Sequence, residues 1–133
     1  MRAALAAGLS LGLLGGCQPA KAGAGAPSPL RVTVQDVLTQ PGLVGKTVVV
    51  SGTCLGYSVP TIAVGSPPVT RSDWQLEDAG DAVWVTGPLP EGCTATGGAT
   101  GRTRITAAVA QDTLPGLGGE KPRLRQFLVV RGR

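Results

Sequence analysis

Lys46-Thr47-Val48-Val49-Val50-Ser51-Gly52-Thr53-Cys54 places Val48, Val50, Gly52 and Cys54 on one side of an extended chain. Thr47, Val49, Ser51 and Thr53 fall on the other. Side chains alternate across a strand, so this period of two predicts a half-buried strand, with Gly52 marking a bend. Downstream, Asp73-Trp74-Gln75-Leu76-Glu77-Asp78, a tight Ala79-Gly80-Asp81 turn and Ala82-Val83-Trp84-Val85-Thr86 read as a β-hairpin. Residues 102–110, with Ile105, Ala107 and Val109 on one side, and residues 124–130 supply two more strands. Upstream, Thr33-Val34-Gln35-Asp36 offers a hydroxyl N-cap with an acid three residues on, which predicts a short helix over 34–38 that stops near Pro41-Gly42. Five strands and one short N-terminal helix make an all-β domain. Between the strands, residues 57–72 and 87–101 are rich in Gly, Pro and Thr and read as long loops.

The 133-residue chain has room for one such domain. Tyr57, Trp74, Trp84 and Phe127 are its four aromatic residues, so the core has to be aliphatic. There is no histidine, which removes the side chain best suited to proton transfer near neutral pH and the commonest metal ligand. Ser51, Ser58, Ser66 and Ser72 therefore lack an activating base, and no carboxylate pair stands out for acid-base work. The sequence asks for no catalytic residue, no metal and no cofactor, and points to a binding module rather than an enzyme. Glu77, Asp78 and Asp81 at the hairpin turn are too few oxygen ligands for calcium and read as a solvated turn. The formal net charge is +4, unevenly distributed. Carboxylates outnumber bases from residue 30 to 101, whereas Arg102, Arg104, Lys121, Arg123 and Arg125 dominate the remainder.

At the N-terminus, Arg2 precedes an apolar run over residues 3–14, too short to span a hydrocarbon core of about 30 Å as a helix. The run ends in Leu14-Gly15-Gly16-Cys17, which resembles the lipobox of bacterial lipoproteins. That resemblance implies a signal peptide over 1–16 and a lipid-bearing Cys17 as the first mature residue, anchoring the chain to a membrane of the cell envelope on its extracytoplasmic side. The alternative is an ordinary secretory peptide cut near Ala20 or Ala22. Residues 17–29 hold no large apolar side chain beyond the anchor and read as a tether, leaving 30–133 as the domain. With Cys17 taken by lipid, Cys54 and Cys93 remain as an even pair in an oxidising compartment, where a disulfide is expected over two free thiols.

Val34-Gln35-Asp36-Val37-Leu38, Pro41 and Gly45-Lys46-Thr47-Val48-Val49-Val50-Ser51-Gly52 together resemble the opening of small bacterial envelope proteins of the OB-fold class. Residues 73–78 through 84–87 are similar to the second and third strands of that class, which is related to anticodon-binding OB domains. The resemblance covers about residues 32–130 and implies a five-stranded OB-like barrel, with a small β-sandwich as the rival. An OB barrel presents ligands across strands 2 and 3 and the flanking loops. Alternation turns Trp74 and Leu76 inward and sends Gln75 and Trp84 outward, so Trp84 is either a stacking platform or covered by a neighbouring loop. Tyr57 would add a second platform, and Arg102 and Arg104 a basic flank that serves a ligand or pairs with the acidic hairpin. Glu77, Asp78 and Asp81 would repel phosphates beside Trp84, which disfavours single-stranded nucleic acid. The expected partner is an envelope protein or a small extracytoplasmic ligand, with single-stranded nucleic acid at the cell surface as the first alternative and a structural or assembly-factor role as the second; the oligomeric state is not encoded in any of these features.

Overall fold

The computed structural model describes residues 28–58, 60–98 and 101–132; the leader and Cys17 lie outside them. Its first helix follows from its cap. Thr33 adopts an extended backbone (φ −89°, ψ 165°), its side chain accepts from the Asp36 N–H at 3.0 Å, and Asp36 Oδ2 accepts from the Thr33 N–H at 2.9 Å. This reciprocal capping box satisfies two N–H groups that a helix start otherwise leaves unpaired. Helix α1 (Val34–Thr39) buries Val34 and Val37 and gives way to a single 3-10 turn at Pro41–Leu43, which carries Leu43 into the same core. The far end is satisfied from the barrel: Gln126 Nε2 donates to Val37 O (2.7 Å) and Gln40 O (2.9 Å). A buried amide thus stitches the helix C-terminus to the last strand.

Six strands, β1 ahead of the helix and five after it, form one sheet among the described residues: β1 (Leu30–Val32), β2 (Thr47–Gly56), β3 (Trp74–Asp78), β4 (Asp81–Thr86), β5 (Thr103–Leu114) and β6 (Arg123–Val129). Their order is β1-β2-β3-β4-β6-β5, and β2 also pairs with β5. The sheet therefore closes into a five-stranded barrel with β1 as an extra edge, and the β-sandwich does not form. Along β2 the burial alternates without a break, with Val48, Val50, Gly52, Cys54 and Gly56 inside. Thr47 to Gly52 pair with β5, and Thr53 to Gly56 pair with β3. Gly52 is the point of hand-over: a Cβ there would stand 2.6 Å from Glu77 O, so only glycine lets β3 approach this closely. β4 and β6 run parallel, the remaining barrel pairs antiparallel. This arrangement is the OB-like barrel. Its interior is aliphatic apart from Cys54 and Trp74, whose Nε1 donates to Gly87 O at 3.2 Å, and α1 packs against β2, β3, β4 and β6.

Three elements differ from the expectation. β1 was not foreseen, because three residues are too few to display a period; it pairs in parallel with Val48, Val49 and Val50. β5 runs four residues past Ala110, held by β6 as far as Leu114↔Arg123, and forms a two-stranded ribbon. The hairpin turn is shorter than expected: Ala79 (φ 53°) and Gly80 (φ 88°) alone link Asp78 to Asp81, both in the left-handed region that two-residue hairpins require. Glu77 Oε1 steadies it by accepting from the Gly80 N–H at 2.9 Å.

Cys54 on β2 is bonded to Cys93, with Cα atoms 6.2 Å apart and a sequence separation of 39. The bridge staples the 87–102 loop to the barrel, where Ala95 O also accepts from Tyr57 N and Ser58 N. Closing a loop of this size removes about 4 kcal/mol of unfolded-chain entropy at 25 °C. The Cys54→Ala/Cys93→Ala double variant should therefore unfold at a clearly lower denaturant midpoint, with a loss approaching that figure. An unchanged midpoint would contradict a stabilising bridge.

Candidate functional site

OB barrels take ligands over strands 2 and 3 and the loops 1–2 and 4–5. Here those are β3, β4 and the loops over 57–73 and 115–122. Gln75 and Trp84 sit opposite each other in the ladder and point away from the aliphatic interior, as alternation requires. Both are nevertheless buried, Trp84 to 3% exposure and Gln75 to 1%. Trp84 forms a second apolar cluster with Ala63, Ala82 and Phe127, against which Ala110 and Val129 pack. Ala63 belongs to the loop between β2 and β3, so the chain covers its own OB face. Of the two outcomes open for Trp84, the structure has the covered one.

Covering a sheet face with irregular chain buries backbone groups that need partners. Buried side chains from the barrel supply them. Gln75 Oε1 uses both lone pairs, accepting from Ile62 N and Ala63 N at 2.8 Å each. Arg125 Nη1 donates to Val64 O (2.8 Å) and Ser66 O (2.6 Å), while Nε and Nη2 bind Asp112. A guanidinium this deeply buried is tolerable because its charge is matched and its donors are used. Asp73 Oδ2 accepts from Val69 N and Thr70 N at 2.7 and 3.0 Å, closing the last turn of the loop. Gly65, at φ 77°, lies so close to the ribbon that a Cβ would meet Leu114 Cδ2 at 2.7 Å and Arg125 Nη1 at 2.8 Å. The cover is thus built in. Trp84 Nε1 and Thr86 Oγ1 are buried beneath it without a partner among the described residues.

The basic residues separate into two roles. Arg125 belongs to the loop clamp. Arg102 bridges to the acidic hairpin, Nη1 donating to Asp78 Oδ1 at 2.8 Å and Nη2 to Ser51 O at 3.2 Å. That hydrogen bond, reinforced by the guanidinium charge against a desolvation cost, holds the Asp78 carboxyl below its ordinary value and raises Arg102. A depressed folded value means the pair is intact at neutral pH and is lost only as pH falls through it. Arg104 stands opposite Ser51, and Arg31 opposite Val49, both facing solvent. Neither makes a side-chain hydrogen bond or ion pair among the described residues. Arg31, Arg102 and Arg104 surround a groove of about 180 Å³ floored by Val49 and Ser51, with Thr33 and Asp78 on its walls. Tyr57 is exposed but does not line this groove, so the five ligand residues expected from sequence do not converge: Trp84 and Gln75 are buried under the loop, Tyr57 stands apart, and Arg102 and Arg104 share the groove. Arg31 escaped the sequence reading because the strand carrying it did.

No family model matches the sequence, and no curated protein matches it. Among solved structures, the chain is similar to a crystal structure described as an aspartyl-tRNA synthetase from Leishmania major Friedlin, at 15% identity and a TM-score of 0.43. The similarity covers 87% of this chain and 24% of that one, so the chain spans about a quarter of the synthetase's length.

Replacing Gln75 with alanine strands the Ile62 and Ala63 N–H groups, at about 1–3 kcal/mol for a buried donor left unsatisfied. Both tryptophans are buried, so wild-type emission should resist iodide quenching, and Gln75→Ala should admit the quencher to Trp84. Strong quenching already in the wild type would contradict the covered face.

Proposed function

We propose that the protein is a non-catalytic binding module of the bacterial cell envelope, held by a lipid on Cys17, that takes an anionic partner in the Arg31–Arg102–Arg104 groove. The observation that carries this reading is the sealed OB face. With Trp84 beneath the 62–73 loop, Tyr57 on the flanking loop is the one exposed aromatic among the described residues, the strand face itself offers no platform for a stacked base, and the acidic hairpin next to it opposes phosphate backbones. Concave, positively charged surface remains on the other side of β2, where the guanidinium groups of Arg31 and Arg104 have no partner among the described residues. An OB-like barrel without histidine offers binding rather than proton transfer. The export half of the reading rests on Leu14-Gly15-Gly16-Cys17, and the Cys54–Cys93 bridge is compatible with an oxidising compartment.

Metabolic labelling with a radioactive fatty acid in bacterial cells tests the anchor. The wild type should carry label and fractionate with membranes, and Cys17→Ser should lose both. An unlabelled wild type would remove the lipoprotein reading.

A further inference from the structure

Building on the anchored reading, we propose that the Arg31–Arg102–Arg104 groove binds the phosphate groups of anionic lipid headgroups in the membrane that holds the anchor. Three observations converge on it. The first is charge: three guanidinium groups meet one lining carboxylate, Asp78, which is already paired to Arg102. Glu77, near enough to raise Arg102 further, and Asp36, hydrogen-bonded to the lining Thr33, are neighbouring acids that the groove must outweigh. Arg31 and Arg104 thus keep their donors for a ligand, and the guanidinium fork matches phosphate oxygens.

The second is shape. The groove is open to solvent, and Thr33 and Ser51 line it beside the three arginines. A tetrahedral headgroup phosphate can enter such a site without leaving the membrane surface, whereas a large ligand would find little to enclose it.

The third is position. Arg31 is the second residue of β1 and follows Cys17 by 14 positions in the sequence. The groove therefore lies at the root of the segment that leads to Cys17. Twelve residues rich in Gly, Ala and Pro separate Cys17 from Leu30 in the sequence. A linker this short gives an effective concentration in the millimolar range. A site with millimolar affinity for a headgroup would be occupied in the anchored protein, so weak binding suffices. Engagement would turn the domain from a tethered body into one docked with β1, β2 and β5 toward the bilayer, and the loops over 62–73 and 115–122 free to meet a partner.

The mature chain carrying Cys17→Ser isolates the groove from the anchor. It should co-sediment with vesicles containing phosphatidylglycerol and leave pure phosphatidylcholine vesicles unbound, with binding that weakens from 50 to 200 mM salt. Each arginine near an anionic surface contributes about fivefold to binding. Arg31→Gln/Arg104→Gln should then reduce binding more than tenfold, while Lys121→Gln/Arg123→Gln, with the same loss of charge elsewhere, should reduce it far less. Tryptophan emission unchanged from the parent verifies that each variant is folded. Equal losses in the two double variants would overturn the proposal in favour of diffuse charge. Perturbation of the Ser51 and Arg104 amides by inorganic phosphate without vesicle binding would overturn the lipid source, and tighter binding of a single-stranded oligonucleotide than of vesicles would do the same. Vesicle binding is read without the lipid and fatty-acid labelling without the groove, so failure of one is distinguishable from failure of the other.

Discussion

A single ten-residue strand, β2, is paired along both edges, and the rest of the molecule is arranged around that constraint. Its first half hydrogen-bonds to β5 and its second half to β3, which closes the barrel. The change of partner requires a backbone that can be approached from the side, and Gly52 supplies it. Two residues later Cys54 fixes the 87–102 loop to the same strand. The outward residues of the first half, Val49 and Ser51, floor the arginine groove, with β1 on one flank and β5 on the other. The inward residues Val48 and Val50 meet Val34 and Val37 of α1 in the core.

On the opposite wall the chain treats its outer face as a second core. Phe127 and Trp84 are too large and apolar to leave a face of β4 and β6 solvated without consequence, and the β2–β3 loop buries them. Loop burial is ordinarily limited by unsatisfied backbone groups. Gln75, Asp73 and the Arg125–Asp112 pair lift that limit by hydrogen-bonding to the loop at its two ends and its middle. The long β5–β6 ribbon is part of the same solution, because it carries both Asp112 and Arg125.

These relations explain what the sequence did and did not reveal. Alternation in 47–54 and 102–110, the Thr33–Asp36 cap and the Cys54/Cys93 parity were legible because each is a local or arithmetic signal. The inward and outward sides of Trp74, Gln75, Leu76 and Trp84 were legible for the same reason. Whether an outward residue is exposed depends on a loop with no periodicity, docked by residues up to 61 positions away, such as Arg125 to Val64. β1 was hidden because its pairing is decided by the free edge of β2 rather than by its own three residues, and Arg31 went with it. The groove is likewise a product of tertiary pairing, bringing together residues 31, 51, 78, 102 and 104 from four strand neighbourhoods.

The account depends above all on the OB face being closed by the chain's own loop. Native-state amide hydrogen exchange at Ile62 and Ala63 tests it most directly, since each amide has Gln75 Oε1 as its partner. The account predicts that both amides exchange far more slowly than in an unstructured chain and that Gln75→Ala abolishes the protection. Exchange of Ile62 and Ala63 at unstructured-chain rates in the wild type would show the face open and contradict it.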